Sequence, residues 1–269
     1  MVPILRLVHP APTLAVVTLS AALAAILGSQ SGSFSPVRLV LTTAAVLGSQ
    51  IVTGALNDWA DRDRDRLTGR AKPIAEGRVS AATALAVAGF GALVQLAASI
   101  PLGGLALLLG AAASASAVAY NLRLSRTPLS VMPYLVSFGL LPLWIAAGMD
   151  VPLERVAAAP LLVGPFAAAA HLANTLRDFD TDARIGSRSL AQVLGRRRAF
   201  GTAFALAMAV GIGVGLSFTA GGSLDLLTAI LGLAGLAAVA QGVAGPGRLW
   251  AGMLIAAVVW TAAWALGTG

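Results

Sequence analysis

Stretches of about twenty apolar residues follow one another along this 269-residue chain, and each is long enough to cross a bilayer as an α-helix. They are apolar all round, whereas the strands of a membrane barrel alternate apolar and polar residues, so a barrel is excluded. The sequence is 58% hydrophobic and 11% charged, against roughly 25% charged in a soluble domain. Ala, Leu, Val and Gly dominate, and small residues let helices in lipid approach closely. The expectation is an all-α, polytopic membrane protein. Its nine transmembrane helices fall at about 12–29, 36–57, 80–99, 101–121, 128–148, 156–177, 199–219, 224–243 and 247–267. Pro36, Pro101, Pro128, Gly221 with Gly222, and Gly245 with Pro246 mark the junctions. Most connections are short. Two are longer and polar, about 58–79 and 178–198, within one transmembrane domain covering 1–269.

The first thirty residues resemble a secretory signal, with Arg6 ahead of an apolar run and small residues. Eight further spans follow, so the first reads as a retained helix. The chain has no Cys, which excludes disulfides, thiolate metal sites and Cys nucleophiles. A formal net charge of +7 would suggest nucleic acid in a soluble protein. Here it reads as basic loops on one side of a membrane, and no nucleic-acid partner is expected. With the N-terminus in the cytoplasm, all of the 18 Lys and Arg residues except Arg38 and Arg155 fall in cytoplasmic segments. That bias places a multi-pass protein in the inner (cytoplasmic) cell membrane, with its N-terminus and both polar loops facing the cytoplasm. Asp58, Asp61, Asp63, Asp65, Glu76, Asp178, Asp180 and Asp182 lie in the same segments. The charge rule does not require acids there.

The first acidic segment runs Asn57-Asp58-Trp59-Ala60-Asp61-Arg62-Asp63-Arg64-Asp65 at the end of span two. Asn57, Asp61 and Asp65 are spaced four and four, which stacks three oxygen-bearing side chains on one helix face. Like charges at that spacing repel, and a divalent cation is an economical counter-charge. Mg²⁺ takes oxygen ligands, typically one or two carboxylates plus substrate phosphates and waters. The second segment, Asn174-Thr175-Leu176-Arg177-Asp178-Phe179-Asp180-Thr181-Asp182 at the end of span six, repeats the spacing and the order at Asn174, Asp178 and Asp182. A single run of alternating charges is ordinarily a solvated loop. Two segments that match at three positions each, both at a membrane edge, point instead to metal with a diphosphate between them. Asp63 and Asp180 fall off the stripes and read as solvated.

Arg70 and Lys72 follow the first stripe in Gly69-Arg70-Ala71-Lys72-Pro73. They have two readings: a diphosphate clamp, Arg as a fork and Lys as a point charge, or plain positive-inside anchoring. Arg196, Arg197 and Arg198 read as lipid-headgroup anchors. Tyr120 and Tyr134 are candidates to orient an acceptor or to face a cation with the ring, or are packed aromatics. His171, three residues before Asn174, either touches an acceptor or metal-bound water or is a packed histidine. His9 reads as packed. Trp250, Trp260 and Trp264 are expected to face lipid or the interface.

With these motifs the chain resembles the UbiA superfamily of intramembrane prenyltransferases. The resemblance runs through Arg6 with His9-Pro10, Asn57-Asp58-x-x-Asp61-x-x-x-Asp65, Arg70-x-Lys72-Pro73 and Gly77-Arg78-Val79-Ser80. It continues through Tyr120, Arg126-Thr127-Pro128-Leu129-Ser130, Phe138-Gly139-Leu140-Leu141-Pro142, and Asn174-x-x-x-Asp178-x-x-x-Asp182 with Gly186 and Leu194-Gly195. It implies nine helices around a central cavity open toward lipid, with Mg²⁺ as cofactor and an isoprenyl diphosphate at the cytoplasmic end. It implies that Asn57, Asp61 and Asp65 hold one metal, with Asp58 an alternate ligand or a support behind them. Asn174, Asp178 and Asp182 belong to the second metal, and Arg70, Lys72 and Arg6 bind diphosphate. Tyr120 sits where the family carries a functional tyrosine. The family commonly follows that tyrosine by four or five residues with a Lys; here those places hold Leu124 and Ser125, so Arg123 and Arg126 are the substitutes.

Three functions fit such a chain. The first is prenyl transfer from an isoprenyl diphosphate to a lipophilic, aromatic or quinone-precursor acceptor. The second is a membrane terpene cyclase that uses the same allylic cation. The third, a membrane transporter, needs charges near the bilayer midplane, whereas these acids sit at one end of their spans.

Overall fold

The computed structural model describes residues 2–32, 34–220 and 225–267. The Gly221-Gly222 junction and position 224, where the eighth span is expected to begin, lie outside the described residues. Among the described residues there is no strand. Nine helices have fifteen residues or more: α1 Pro10–Gln30, α2 Pro36–Leu67, α3 Ala81–Ser99, α4 Gly104–Leu122, α5 Met132–Gly148, α6 Pro160–Thr175, α7 Arg196–Ala220, α8 Leu226–Ala240 and α9 Pro246–Gly267. Among the described residues seven segments are long and apolar enough to cross a bilayer, α8 counting together with the 3₁₀ turn that extends it to Ala244; α5 and α6, at 17 and 16 residues, are not among the seven.

The nine expected spans each correspond to one helix, with two differences that matter for the site. Helix α2 runs on through Leu67, so the first polar loop starts at residue 68 and the acidic segment is helical throughout. Ion pairs three residues apart, Asp61–Arg64 at 3.9 Å and Asp63–Arg66 at 3.4 Å, support this last stretch. The second polar segment is not one loop either: it holds short helices at Phe179–Arg184 and Leu190–Leu194.

The chain divides into two compact units, one of residues 1–125 and 140–157, the other of 126–139 and 158–269. In the first, α2 is the hub and packs against α1, α3 and α4. Its contact with α3 is made backbone to backbone. A Cβ on Gly48 would lie 2.5 Å from the Gln95 nitrogen, and one on Gly91 would lie 2.8 Å from the Gly48 carbonyl oxygen. Buried polar groups then tie three helices together. Gln95 donates to the Gly110 carbonyl at 3.0 Å, Ser114 donates to Gln95 Oε1 at 2.9 Å, and the Ser49 and Ser114 hydroxyls meet at 2.8 Å. Trp144 packs with Ala45, Val46, Ala106 and Ala113 beside them.

The second unit is built on alanine. Ala169, Ala173, Ala199, Ala203, Ala207 and Ala256 pack with Leu172, Leu249 and Met253. Trp260 belongs to this core, contrary to the lipid-facing position expected for it. Its indole nitrogen donates to the Gly232 carbonyl at 3.1 Å, and its ring lies edge-on to Phe166 at 5.3 Å. That acceptor offsets the cost of taking the indole N–H out of water, and Gly211 and Gly235 leave the room for the ring. The outward faces of both units carry exposed Leu, Val and Phe, among them Leu14, Val37, Phe90, Leu108, Leu216 and Leu233, as helices solvated by lipid do.

Gly48→Val forces the α2–α3 backbones apart and is expected to cost about 3 kcal/mol by overpacking, read as a lowered thermal midpoint in detergent. Gly89→Ala, on the same α3 with open space at its Cβ, is expected to leave the midpoint unchanged.

Candidate functional site

The first acidic segment ends in a turn that folds the chain back on itself. Helix α2 is capped at Thr68, and Gly69 follows in the left-handed conformation with φ +65°. The Gly69 N–H bonds to the Arg66 carbonyl at 3.4 Å and the Arg70 N–H to the Asp65 carbonyl at 2.9 Å. This pair of bonds is a Schellman cap, which needs a residue free of Cβ strain at its left-handed position. It returns Arg70, Ala71 and Lys72 along the end of α2. Lys72 Nζ thereby donates to Asp58 Oδ1 at 2.7 Å and to Asn57 Oδ1 at 3.0 Å, and lies 3.5 Å from Asp65 Oδ2.

The N-terminal segment closes over the same place. Its backbone at Leu7 and Val8 crosses α2 at Gly54, where a Cβ would lie 2.7 Å from the Leu7 carbonyl oxygen. Arg6 donates to the Ala71 carbonyl at 2.8 Å and lies 3.9 Å from Glu76. Arg6 is therefore a brace on the returning loop. His9 Nε2 is 2.9 Å from Asp58 Oδ1. A carboxylate oxygen only accepts, so the imidazole N–H donates. His9 holds a left-handed backbone, φ 51° and ψ 70°, immediately before Pro10 at the start of α1. That conformation is uncommon for a residue with a Cβ. The C-terminal end of α4 completes the cluster: Asn57 Nδ2 donates to Asn121 Oδ1 at 3.3 Å, and Asn121 donates to the Thr53 carbonyl at 2.8 Å. Tyr120, next to Asn121, is half-buried, and Arg123 is exposed at the cap of α4.

Asp58 and Asp65 are each only 1% exposed, and Asp61 is 9% exposed. Neither oxygen of Asp65, nor Oδ2 of Asp58, receives a hydrogen bond. Burying a carboxylate without donors is costly, so these oxygens are placed to accept a cation. Among the described residues no three His, Cys, Asp or Glu side chains form a preformed metal cage. Mg²⁺ does not require one, since phosphates and waters fill most of its shell. The donor set therefore fits a metal that arrives with phosphate. Asp63 is exposed and paired with Arg62 and Arg66, as its position off the stripe predicts.

The second acidic segment has a different local geometry from the uniform stripe expected for it. Helix α6 ends at Thr175, a 3₁₀ turn covers Leu176–Asp178, and a new helix runs Phe179–Arg184. A 3₁₀ turn winds about three residues per turn, so four-residue spacing no longer keeps Asn174 and Asp178 on one face. Asn174 and Asp178 are exposed, and Asp182 is buried. Arg177 bridges back to Asn174 Oδ1 at 3.4 Å and stands over the Trp250 ring at 5.0 Å. Asp180 is exposed and pairs with Arg196 at 2.7 Å. Arg196, expected at lipid headgroups, is thus engaged by Asp180 and by the Phe179 ring at 4.9 Å. Arg126 is exposed, and its carbonyl accepts the Arg188 N–H at 3.2 Å, while Ser130 accepts the Leu190 N–H at 3.2 Å. The Arg-Thr-Pro-Leu-Ser stretch therefore pins the segment after Asp182. His171 is buried and stacked on Tyr134 with ring centroids 4.2 Å apart, a packed histidine.

Two groups of the first cluster were not legible as such. His9 reads as packed, and Asn121 gives only the faint signal of an amide beside Tyr120 at the end of a span.

Among the described residues, nine long helices, seven segments of membrane-crossing length, and an acidic helix end held by Lys72 define a multi-pass membrane protein with a buried carboxylate cluster at one end of α2. The sequence profile of the UbiA prenyltransferase family matches residues 18–266, and the chain belongs to that family. It is 36% identical over 147 residues to the 4-hydroxybenzoate octaprenyltransferase of Cupriavidus necator, over 53% of this chain and 51% of that protein. The match thus spans about half the length of that curated relative. Its fold is similar to that of a UbiA homologue from Aeropyrum pernix K1, with a TM-score of 0.71, 23% identity and coverage of 92% of this chain and 96% of that one. It is likewise similar to a UbiA homologue from Archaeoglobus fulgidus bound to DMAPP and Mg²⁺, with a TM-score of 0.73, 17% identity and coverage of 98% and 99%.

Asp65→Asn removes a buried charge that no hydrogen bond stabilises. Its thermal midpoint without ligand is expected to equal or exceed that of the wild type. Mg²⁺ with pyrophosphate is expected to raise the wild-type midpoint and to leave that of Asp65→Asn where it was. A variant that melts lower and still responds to the pair would contradict this placement.

Proposed function

We propose that the chain is a Mg²⁺-dependent intramembrane prenyltransferase, one that transfers an isoprenyl group from an isoprenyl diphosphate to an aromatic or quinone-precursor acceptor. The observation that carries the reading is the buried Asp65 carboxylate, bare of hydrogen bonds and beside Asn57, Asp58 and Lys72 at the end of a membrane-length helix. Membership of the UbiA prenyltransferase family supports it. So does the name of the Cupriavidus relative, an octaprenyltransferase acting on 4-hydroxybenzoate.

Asn57, Asp61 and Asp65 are the proposed ligands of one Mg²⁺, and Asn174, Asp178 and Asp182 of a second. Bound there, Mg²⁺ supplies Lewis-acid stabilisation of charge developing on the departing diphosphate. Arg70 and Lys72 contribute cationic donors to the same oxygens, with Arg123 and Arg126 in the role of the absent family Lys. Arg6 acts on the diphosphate through the Ala71 carbonyl that it holds. Asp58 supports Lys72. The allylic C–O bond breaks and its electron pair leaves with the diphosphate. The allylic cation is attacked by an electron-rich carbon of the acceptor, a C–C bond forms, and the ring proton passes to a base or water. Tyr120 faces the cation with its ring in this reading. Apolar surroundings exclude the water that would otherwise capture the cation. Isoprenyl chains and lipophilic acceptors both partition into lipid, so the bilayer delivers both. The proposed location is the inner (cytoplasmic) membrane with the acidic segments facing the cytoplasm.

Detergent-purified protein given farnesyl or geranylgeranyl diphosphate and Mg²⁺ is expected to release diphosphate in the presence of a phenolic acceptor, and EDTA is expected to stop it. Asp61→Ala is expected to lower the rate by about a hundredfold or more. Wild type and Asp61→Ala indistinguishable at every chain length would refute the reading. Release without acceptor, yielding a cyclic hydrocarbon, would make the protein a cyclase.

A further inference from the structure

Lys72 is the only lysine in the chain; every other basic residue among its 18 Lys and Arg is arginine. The single ammonium stands where three side-chain oxygens converge, at 3.0 Å from Asn57 Oδ1, 2.7 Å from Asp58 Oδ1 and 3.5 Å from Asp65 Oδ2. A compact ammonium with three rotatable donors suits such a nest. A planar guanidinium fork suits a flat carboxylate or phosphate edge instead. Two of these oxygens, those of Asn57 and Asp65, belong to proposed ligands of the first Mg²⁺.

The seat is also built from outside the acidic segment. His9 donates to the same Asp58 oxygen that receives Lys72, and it does so from a left-handed backbone ahead of Pro10. Gly54 admits the N-terminal segment that carries His9. The Schellman cap at Gly69 delivers Lys72 from the other side. Asp65, 1% exposed, keeps both oxygens free of hydrogen bonds beside the ammonium.

We propose that Lys72 is a tethered counter-cation that occupies the first metal position of the resting chain, so that divalent metal enters only together with the diphosphate. The inference rests on the reading of this site as one for a Mg²⁺–diphosphate. A bare divalent ion approaching Asn57 and Asp65 meets the ammonium, and two cations cannot share one nest of three oxygens. A Mg²⁺–diphosphate complex differs in two ways. It retains net negative charge, so it is attracted to Lys72 and Arg70. It also brings phosphate oxygens that accept the ammonium when it leaves Asn57 and Asp65. Lys72 then turns the donors freed from Asn57 and Asp65 to the diphosphate, while Asp58, held by His9, stays behind as its anchor. The residue sets the order of binding as well as contributing to affinity.

The test uses the detergent-purified full chain with Mn²⁺ as probe, free ion being read by electron paramagnetic resonance. Wild type is expected to bind Mn²⁺ weakly alone and at least about tenfold more tightly with pyrophosphate. Lys72→Met is expected to bind Mn²⁺ alone about tenfold more tightly than wild type and to lose most of the gain from pyrophosphate. If wild type binds Mn²⁺ with pyrophosphate but Lys72→Met binds Mn²⁺ alone no better than wild type, the counter-cation role is overturned and the Mg²⁺–diphosphate reading stands. If wild type binds no Mn²⁺ even with pyrophosphate, both fall. Lys72→Met strips a partner from buried carboxylates and can fail to fold, so a second measurement uses wild type alone. Acetylation of the only lysine, followed by mass spectrometry, is expected to be unaffected by Mg²⁺ and changed by Mg²⁺ with pyrophosphate. A change with Mg²⁺ alone, or no change under either condition, overturns the proposal.

Discussion

The buried carboxylate of Asp58 governs how one end of the first unit is assembled. Its side chain is only 1% exposed, and fixed donors stand in for part of its lost hydration. Both donors come from elsewhere in the chain, His9 from the N-terminal segment and Lys72 from the loop after α2. Each needs its own backbone device to arrive. Gly54 lets the N-terminal segment cross α2, and the left-handed Gly69 reverses the chain so that Lys72 points back along it. Arg6 then fixes the loop through the Ala71 carbonyl, and Asn57 reaches α4 through Asn121. One ion cluster thus sets the path of the N-terminal segment, the end of α2, its following loop and the end of α4. Removing the charge at Asp58 would release His9 and Lys72, and with them the N-terminal segment and the returning loop.

Packing away from this end has a different basis. Lipid gives helices no hydrophobic reason to associate, so association rests on close approach and on hydrogen bonds between helices. The first unit uses both: Gly48 against Gly91, and the Ser49, Ser114 and Gln95 network beside it. The second unit uses an alanine core with one large inclusion. Trp260 fits because Gly211 and Gly235 leave space for its ring and Gly232 offers it an acceptor. Both arrangements hold backbones rigidly, which a site built on helix ends requires.

The spans were legible because bilayer thickness imposes a length on any helix that crosses it, and the first stripe was legible because α2 keeps its winding through Leu67. The second stripe departs from the face its spacing implies. Nothing between Asn174 and Asp182 is Gly or Pro, so composition gives no sign that the winding tightens at Leu176–Asp178. Spacing identifies a common helix face only where the pitch is constant. His9 reads as packed for a different reason. Its function depends on a contact 49 residues away, made possible by a glycine that also looks like ordinary helix packing. In sequence, Trp260 in the last span suits an interface as well as a core, and only its partner glycines decide between the two.

The two acidic segments nevertheless share one feature that spacing of the acids alone does not reveal. Each ends in the same turn. After Asp65, Gly69 is left-handed and the Arg70 N–H bonds to the Asp65 carbonyl; after Asp182, Gly186 is left-handed with φ +68° and the Ser187 N–H bonds to the Asp182 carbonyl at 3.0 Å. Glycine therefore extends the spacing of four to a fourth position in both segments. In both, the last acid of the series lies on the final helical turn and is buried. The residues past the turn are unlike. Three places beyond Gly69 stands Lys72, whose ammonium enters a nest of oxygens. Three places beyond Gly186 stands Ser189, which is buried and uncharged, and the Arg188 N–H before it bonds to the Arg126 carbonyl. On the proposed reading, the first turn carries a counter-cation into its metal position at rest. The same local fold thus ends both acidic segments, and the residues placed just past the glycine, Lys72 in one and Ser189 in the other, set them apart.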